Sequence, residues 1–339
     1  MKSMFEGKIV LVTGGTGTVG RAIVEEILRH DPKVVRVFSR DESKQYDFQK
    51  AVPREKRLRF FVGDVRDKER LLHAMENVDF VFHTAAMKHV IACEYNPFEA
   101  LKTNLLGTKN IIEASLEHKV GKVIFTSSDK ATNPCNTMGV SKLFAERLVT
   151  AASYYKGKNS TVLSSVRFGN ILGSRGSVIP VFRKQIESGG PITLTNPAMT
   201  RFVITKKQAL DFVFKATSLA KGGEIFIPKM PVVRMKDMVD VMLELYAPEN
   251  KRKSVKIELI GAQAGEKSYE ELMTGEEVTR AVETDDMFIL KPQIPDLFER
   301  EYHYPNERPP AVKQYTSHND PPMAKKTLRK LIAGISADY

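Results

Sequence analysis

Three glycines at fixed intervals restrict this chain more than any other feature of it. Gly14, Gly17 and Gly20 stand G-x-x-G-x-x-G between an apolar run at 8–13 and a helix-like run from Arg21 to Arg29. Strand, glycine turn and helix form the context that a dinucleotide-binding turn requires. The glycines allow a tight turn, close approach of backbone to a pyrophosphate, and close packing of helix on strand. Thr16, Thr18 and Val19 belong to the same turn, and the helix after it offers its first N–H groups to phosphate.

The alternation then continues. Apolar runs at Val34–Phe38, Leu58–Val62, Val78–His83, Val120–Ser127 and Val162–Phe168 alternate with helix-like stretches, including Pro97–Glu117 and Met138–Tyr155. This predicts an α/β fold with a doubly wound parallel sheet. Candidate cofactor contacts lie at the strand ends. Ser39 and Arg40, with Lys44 a turn later, suit the 2′-phosphate of NADP, whereas Asp41 would suit the ribose of NAD. Asp64 can meet an adenine amine with Val65 against the ring, or Asp64 or Asp67 can cap the helix near Lys68. The small Ala85 and Ala86 admit a ribose, Lys88 can meet phosphate or a sugar hydroxyl, and Asn104 can brace the next strand.

Beyond residue 175 the pattern loosens. Short strands at Ile192–Leu194, Glu224–Ile227 and Val255–Ile260 alternate with helices near 180–188, 205–220, 234–246 and 266–273. This predicts a dinucleotide-binding domain over 1–175, a smaller C-terminal α/β substrate lobe over 176–290 with some chain crossing back, and an extended tail over 291–339. The Lys325–Lys330 cluster reads as a solvated helix face.

Composition excludes several classes. No run of about 18 apolar residues exists, so no membrane span is expected, and the opening residues fit no signal peptide. Cys93 and Cys135 are the only cysteines, which argues against a disulfide framework or cysteine-rich zinc site and for a cytoplasmic location. No metal is expected. The net charge of +11 is dispersed and accompanies no nucleic-acid motif. It suits an anionic nucleotide substrate instead.

The most reactive stretch runs from Thr126 to Lys142. Hydroxyls, a carboxylate and two amines (Ser128, Asp129, Lys130, Lys142) gather at the C-terminal end of a strand, where open parallel sheets bind ligands. A carboxyl group serves as an acid, and a lysine as a base, when the surroundings shift their pKa values toward neutrality. For Lys130 the expected causes are burial and the nearby Lys142 cation. Met138 and Lys142 lie i and i+4 on one helix face.

These motifs together resemble the extended short-chain dehydrogenase/reductases, whose domain is Rossmann-like. Ser39–Glu42, Ala85–Val90, Ser128–Ala131, Arg167–Asn170, Gly173–Pro180, Met199–Phe202 and Gly265–Lys267 are similar to the short soluble UDP-N-acetylglucosamine 4,6-dehydratases of surface-polysaccharide synthesis. The likeness spans about residues 5–290, with a further echo at Tyr315–Ser317.

The resemblance implies tightly bound NADP that takes a hydride from C4 of a UDP-sugar and returns it to C6 after water is lost. It implies Lys130 as base at C5, Asp129 as acid for the 6-hydroxyl, Ser128 near O4, and Lys142 at the nicotinamide ribose. Lys88, Asn170, Arg201 and Glu266 become cofactor or substrate contacts. Inversion at C5 is preferred to retention. A homo-oligomer is implied, a dimer through the Lys142 helix or a higher form such as a hexamer.

One position departs from the superfamily pattern. Its Tyr-x-x-x-Lys appears here as Met138-Gly139-Val140-Ser141-Lys142, and methionine has no proton to exchange. Some family members carry methionine here and remain active, which leaves Ser128, Asp129 or a water to relay the O4 proton. A UDP-sugar 4-epimerase and a non-catalytic NADP-binding regulator are the alternatives.

Overall fold

The computed structural model describes residues 3–174, 176–294 and 301–335. Among the described residues, nine strands form the central sheet. Its first half is built from β1 (Ile9–Thr13), α1 (Thr18–Leu28), β2 (Val34–Ser39), α2 (Glu42–Ala51), β3 (Leu58–Val62), α3 (Lys68–Met75) and β4 (Phe80–His83). After β4 come α4 (Val90–Tyr95), α5 (Pro97–Ala100), a π-helical turn (Leu101–Leu106) and α6 (Gly107–Glu117). Next are β5 (Lys122–Thr126), a 3₁₀ turn (Asp129–Ala131), α7 (Thr137–Tyr155) and β6 (Val162–Val166).

The strands from β1 to β6 are parallel and ordered β3-β2-β1-β4-β5-β6. Val10, Leu11, Val12, Val81, Phe82, Val123 and Ile124 are fully or almost fully buried, as expected of strands covered by helices on both faces. The order reverses between β1 and β4. Ligands bind outside the carboxyl ends of strands at such a switch point, and the glycine turn and the 84–88 loop lie there.

The remaining chain contributes β7 (Asn170–Ile171), α8 (Val178–Glu187), β8 (Ile192–Leu194), β9 (Thr200–Ile204), α9 (Lys206–Leu219), β10 (Ile225–Pro228), β11 (Val232–Arg234) and α10 (Met235–Tyr246). It ends with β12 (Ile257–Leu259), β13 (Glu271–Met273), α11 (Gly275–Val278), β14 (Ala281–Glu283), β15 (Met287–Leu290), β16 (Tyr315–Thr316) and α12 (Lys325–Ile335). Strands β10, β15 and β14 extend the main sheet beyond β6, β10 parallel to β6, β15 antiparallel to β10, and β14 antiparallel to β15. Much of the later chain therefore packs into the first core.

Several expectations need correction. The helix expected over 266–273 is absent. Glu271–Met273 is a strand, because it finds an antiparallel partner in Tyr315–Thr316. The single helix expected over 97–117 is broken by the π turn at 101–106. The 291–339 tail is not wholly extended, since it supplies β16 and α12, and α12 buries Leu328 and Ile332 in the core that includes Met238 and Met242 of α10. The proposed domain boundary at Arg175, and the tail residues 295–300 and 336–339, lie outside the described residues.

A fully buried guanidinium joins the two halves. Arg167, just past β6, bonds both oxygens of Glu146 on α7 at 2.9 and 2.6 Å. It also bonds both oxygens of Glu277 on α11 at 2.9 and 3.0 Å and the Leu272 carbonyl at 2.9 Å. Removing one partner of such a buried set leaves charges unpaired. Arg167→Met is therefore expected to lower the unfolding free energy by about 3–5 kcal/mol, measured as a lower urea midpoint. Arg167→Lys should recover only part, because an ammonium cannot match both carboxylates bidentately.

Candidate active site

The glycine turn packs as its spacing predicts. Gly14 has φ +66°, and a Cβ there would lie 2.7 Å from the Ala85 nitrogen. A Cβ on Gly20 would strike the Gly14 carbonyl. Helix α1 starts at Thr18, one residue before Val19, and its cap residue Gly17 has no side chain to bond the first-turn N–H groups. An open backbone cradle at a helix N-terminus fits a pyrophosphate. Thr16 and Ser39 share a hydroxyl hydrogen bond of 3.0 Å across the turn.

At the end of β2, Arg40 is exposed and lies 3.7 Å from Asp64. Lys44 pairs with Asp41, whose carboxylate also accepts from the Lys44 backbone at 3.0 Å and caps α2. Asp64 is bonded by Arg66 at 2.7 and 3.0 Å, and Asp67 caps α3. Val65 is buried against Gly107. Burial opposes the Asp64 charge, but Arg66 and Arg40 together hold its pKa below the ordinary value.

Ala85 and Ala86 follow β4 in a half-buried loop that ends at Lys88 and His89. Asn104 is buried in the π turn and does not brace the strand after it. It accepts from the Met87 nitrogen at 2.7 Å and donates to the Met87 carbonyl at 3.0 Å and to Ser141 at 2.9 Å. It thereby ties this loop to α7.

Ser128, Asp129 and Lys130 form one cluster at the end of β5. Ser128 Oγ donates to Asp129 Oδ1 at 2.6 Å and accepts from the Lys130 backbone at 3.2 Å. Lys130 Nζ stands 3.0 Å from the same Oδ1 and 3.4 Å from Glu270 Oε1. Asp129 Oδ2 and Glu270 Oε2 are buried with no hydrogen-bond partner among the described residues. Burial works against the Lys130 ammonium, but Asp129 and Glu270 outweigh it and push its pKa up. The expected fall of this pKa is therefore corrected.

Lys142 behaves in the opposite way. It is buried, donates to the Thr126 carbonyl at 2.9 Å, and sits 4.6 Å from the Phe125 ring centre. Burial pushes it down to about 8 against the opposing charge of Glu146. Asn136 caps α7 at the Gly139 nitrogen, 2.8 Å, and donates to the Gly265 carbonyl at 2.8 Å. A Cβ on Gly139 would strike the Lys130 carbonyl, so α7 lies directly on the reactive turn. The Met138 side chain is buried in a small apolar cluster with Cys93 and Ala100, flanked by Met87 and Val90.

Arg201 leads from the Lys130–Glu270 pair to a cavity of about 230 Å³. Its guanidinium is 3.6 Å from Glu270 and 3.2 Å from Glu266. Asn170, Arg201 and Glu266 all line the cavity, with Leu172, Thr195 and Met235 among its other walls. Glu270 escaped the sequence reading. The acidic run Glu270-Glu271 after Gly265–Lys267 was visible, but the helix expected there hid the strand that carries it inward. No group of three or more candidate metal ligands occurs among the described residues.

Residues 10–292 match the family described as "Polysaccharide biosynthesis protein". The chain is similar to "Pen" from Bacillus thuringiensis, a solved structure 47% identical with TM-score 0.91, over 98% of this chain and 99% of that one. The UDP-glucose 4-epimerase of Rickettsia akari is 38% identical over 341 residues, 99% of this chain and 98% of that protein. A protein of Methanocaldococcus jannaschii named "Uncharacterized membrane protein MJ1061" is 50% identical over 294 residues, 86% of this chain and 88% of that protein. No helix among the described residues is long and apolar enough to cross a membrane. With its parallel sheet, its glycine turn and this match over most of its length, the chain belongs to the polysaccharide biosynthesis protein family, within the extended short-chain dehydrogenase/reductases.

Proposed function

We propose that the chain is an NADP-dependent 4,6-dehydratase that converts UDP-N-acetylglucosamine to a UDP 4-keto-6-deoxy sugar for surface glycans, with inversion at C5. The observation that carries this reading is the Ser128–Asp129–Lys130 cluster, with a carboxylate and an amine 3.0 Å apart. Residues 1–175 would hold the cofactor and 176–290 the UDP-sugar, with Asn170, Arg201 and Glu266 at the cavity and Lys88 near the phosphates. The glycine cradle and Lys142 would hold the nicotinamide cofactor, which supplies a hydride acceptor at C4 and a donor at C6. Two free cysteines, one buried and one exposed, agree with a cytoplasmic location.

The side chains then have distinct tasks. Ser128 takes the O4 proton and passes its own to Asp129 Oδ1 along the 2.6 Å hydrogen bond. This gives Asp129 the proton that the departing 6-hydroxyl needs, so Met138 has no part in proton transfer. Lys130, as the free amine, removes the C5 proton made acidic by the 4-ketone.

A second reading, a UDP-sugar 4-epimerase, is favoured by the names of relatives that align over nearly the whole chain. It needs neither an acid at C6 nor a base at C5. The test is incubation with UDP-N-acetylglucosamine in heavy water, followed by proton NMR and mass spectrometry. A product lighter by one water, with a C6 methyl signal and deuterium at C5, is expected. The ring coupling constants report inversion or retention. Unchanged mass with a galacto-configured sugar would establish the epimerase instead. Asp129→Asn should lower dehydration by about 10²–10⁴-fold.

For the cofactor, Arg40 at the end of β2 supports NADP. Arg40→Ala should weaken NADP+ binding about tenfold and leave NAD+ binding unchanged in titration calorimetry, in keeping with loss of one charge-assisted contact.

We further propose a homodimer. Ile91, Tyr95 and Phe98 are exposed on α4 and α5, and Val140 and Phe144 are exposed on the adjoining α7. Tyr95→Asp combined with Phe144→Asp should convert a dimer to a monomer in sedimentation velocity. A monomeric unmutated chain would refute this assembly.

A further inference from the structure

We propose that Glu270 is the proton partner that frees Lys130 to act as a base. This rests on the dehydratase reading and deepens it. Glu270 is 3% exposed and stands immediately before β13. Its backbone is fixed on both sides, since its N–H donates to Ser317 Oγ at 2.9 Å and its carbonyl accepts from the Ser317 N–H at 2.8 Å. Its side chain reaches into the cluster, with Oε1 3.4 Å from Lys130 Nζ and 3.6 Å from Arg201 Nε. Lys130 therefore lies between two carboxylates, and each of them has one buried oxygen without a partner among the described residues.

The proton balance of the elimination requires a second carboxylate. At rest Lys130 is an ammonium held between Asp129 and Glu270. The elimination requires the reverse, a free amine and a protonated acid. Asp129 receives its proton from O4 through Ser128, so it is unable also to take the one on Lys130. Glu270 Oε1 is the other acceptor in reach, and hydrogen bonds of this kind are often long in ligand-free sites and tighten when substrate binds. Burial, then the Asp129 charge, raises the proton affinity of the Glu270 carboxyl.

Glu270 takes the ammonium proton and becomes neutral. Lys130 takes the C5 proton as the C5–H electron pair forms the C5–C6 double bond and the C6–O bond breaks. The Asp129 proton leaves with that oxygen as water. After the hydride returns to C6, retention would have Lys130 give its proton to C5 and Glu270 restore the proton of Lys130. If C5 is protonated on the opposite face from another donor, Lys130 is left charged and Glu270 discharges its proton to solvent. In both cases Glu270 acts through Lys130 and is a positioning residue.

The experiment uses the full chain with NADP+ and UDP-N-acetylglucosamine in heavy water, comparing the unmutated protein with Glu270→Gln and Glu270→Asp. Oxidation at C4 is followed by near-ultraviolet absorbance, and C5 deuteration and the C6 methyl by NMR. Glu270→Gln is expected to keep KM and C4 oxidation while C5 deuteration and methyl product fall about 10²-fold. Glu270→Asp should recover part of the loss.

The inference is overturned if Glu270→Gln makes product within about threefold of the unmutated rate. It is also overturned if C4 oxidation and C5 deuteration fall together with a raised KM, which is the signature of a pocket wall. Melting curves accompany each variant, and if the glutamine variant does not fold, the aspartate variant decides by the same split. If the unmutated protein forms no C6 methyl, the dehydratase reading fails and takes this inference with it. A normal unmutated protein with an unaffected variant refutes Glu270 alone.

Discussion

The buried Arg167 guanidinium is the constraint on which the site depends. It sits where β6 ends, and its two carboxylate partners come from different parts of the chain. Glu146 lies one turn beyond Lys142 on α7, while the Leu272 carbonyl lies two residues beyond Glu270. One side chain thus fixes the helix that carries one amine and the strand that brings a carboxylate to the other. Taking three charges out of water is expensive, and only near-complete hydrogen bonding makes it tolerable. The resulting geometry leaves little freedom in how the two halves meet at the reactive turn.

Around that turn, two lysines of the same type are driven in opposite directions. Lys142 has a carbonyl and an aromatic ring for neighbours, so burial dominates and its proton is held loosely. Lys130 has two carboxylates within 3.4 Å, and its proton is held tightly. Identity and spacing do not distinguish the two. What separates them is which distant strands close over each, a property of the tertiary fold.

The sequence was most legible where the period was strong. The glycine turn, the parallel strands through β6 and the cluster at 128–130 all stand where the pattern puts them. It became illegible where strands shrink to two or three residues, as in β7, β13 and β16, since so short a run carries no usable period. The stretch Glu266-Lys267-Ser268-Tyr269-Glu270-Glu271-Leu272-Met273 has helix-forming composition. Its pairing with Tyr315–Thr316 decides otherwise, and no local signal announces that partner. Asn104 stands in the sequence as a polar residue able to brace the next strand, but its partners Met87 and Ser141 follow from the π turn that carries it.

The Ser128–Asp129 hydrogen bond joins the first and the last proton transfer of the proposed cycle. In the proposed cycle the carboxyl group that collects the proton from O4 is the one that later releases it at O6. Oxidation and water loss are therefore interlocked, because each ketone formed loads one acid and each elimination unloads it. A tyrosine at position 138 would offer the O4 proton a separate destination and uncouple the two events. With methionine there, the proposed cycle has no such side exit, and the acid loaded by oxidation would be unloaded only by loss of the 6-hydroxyl or by return of the hydride to C4.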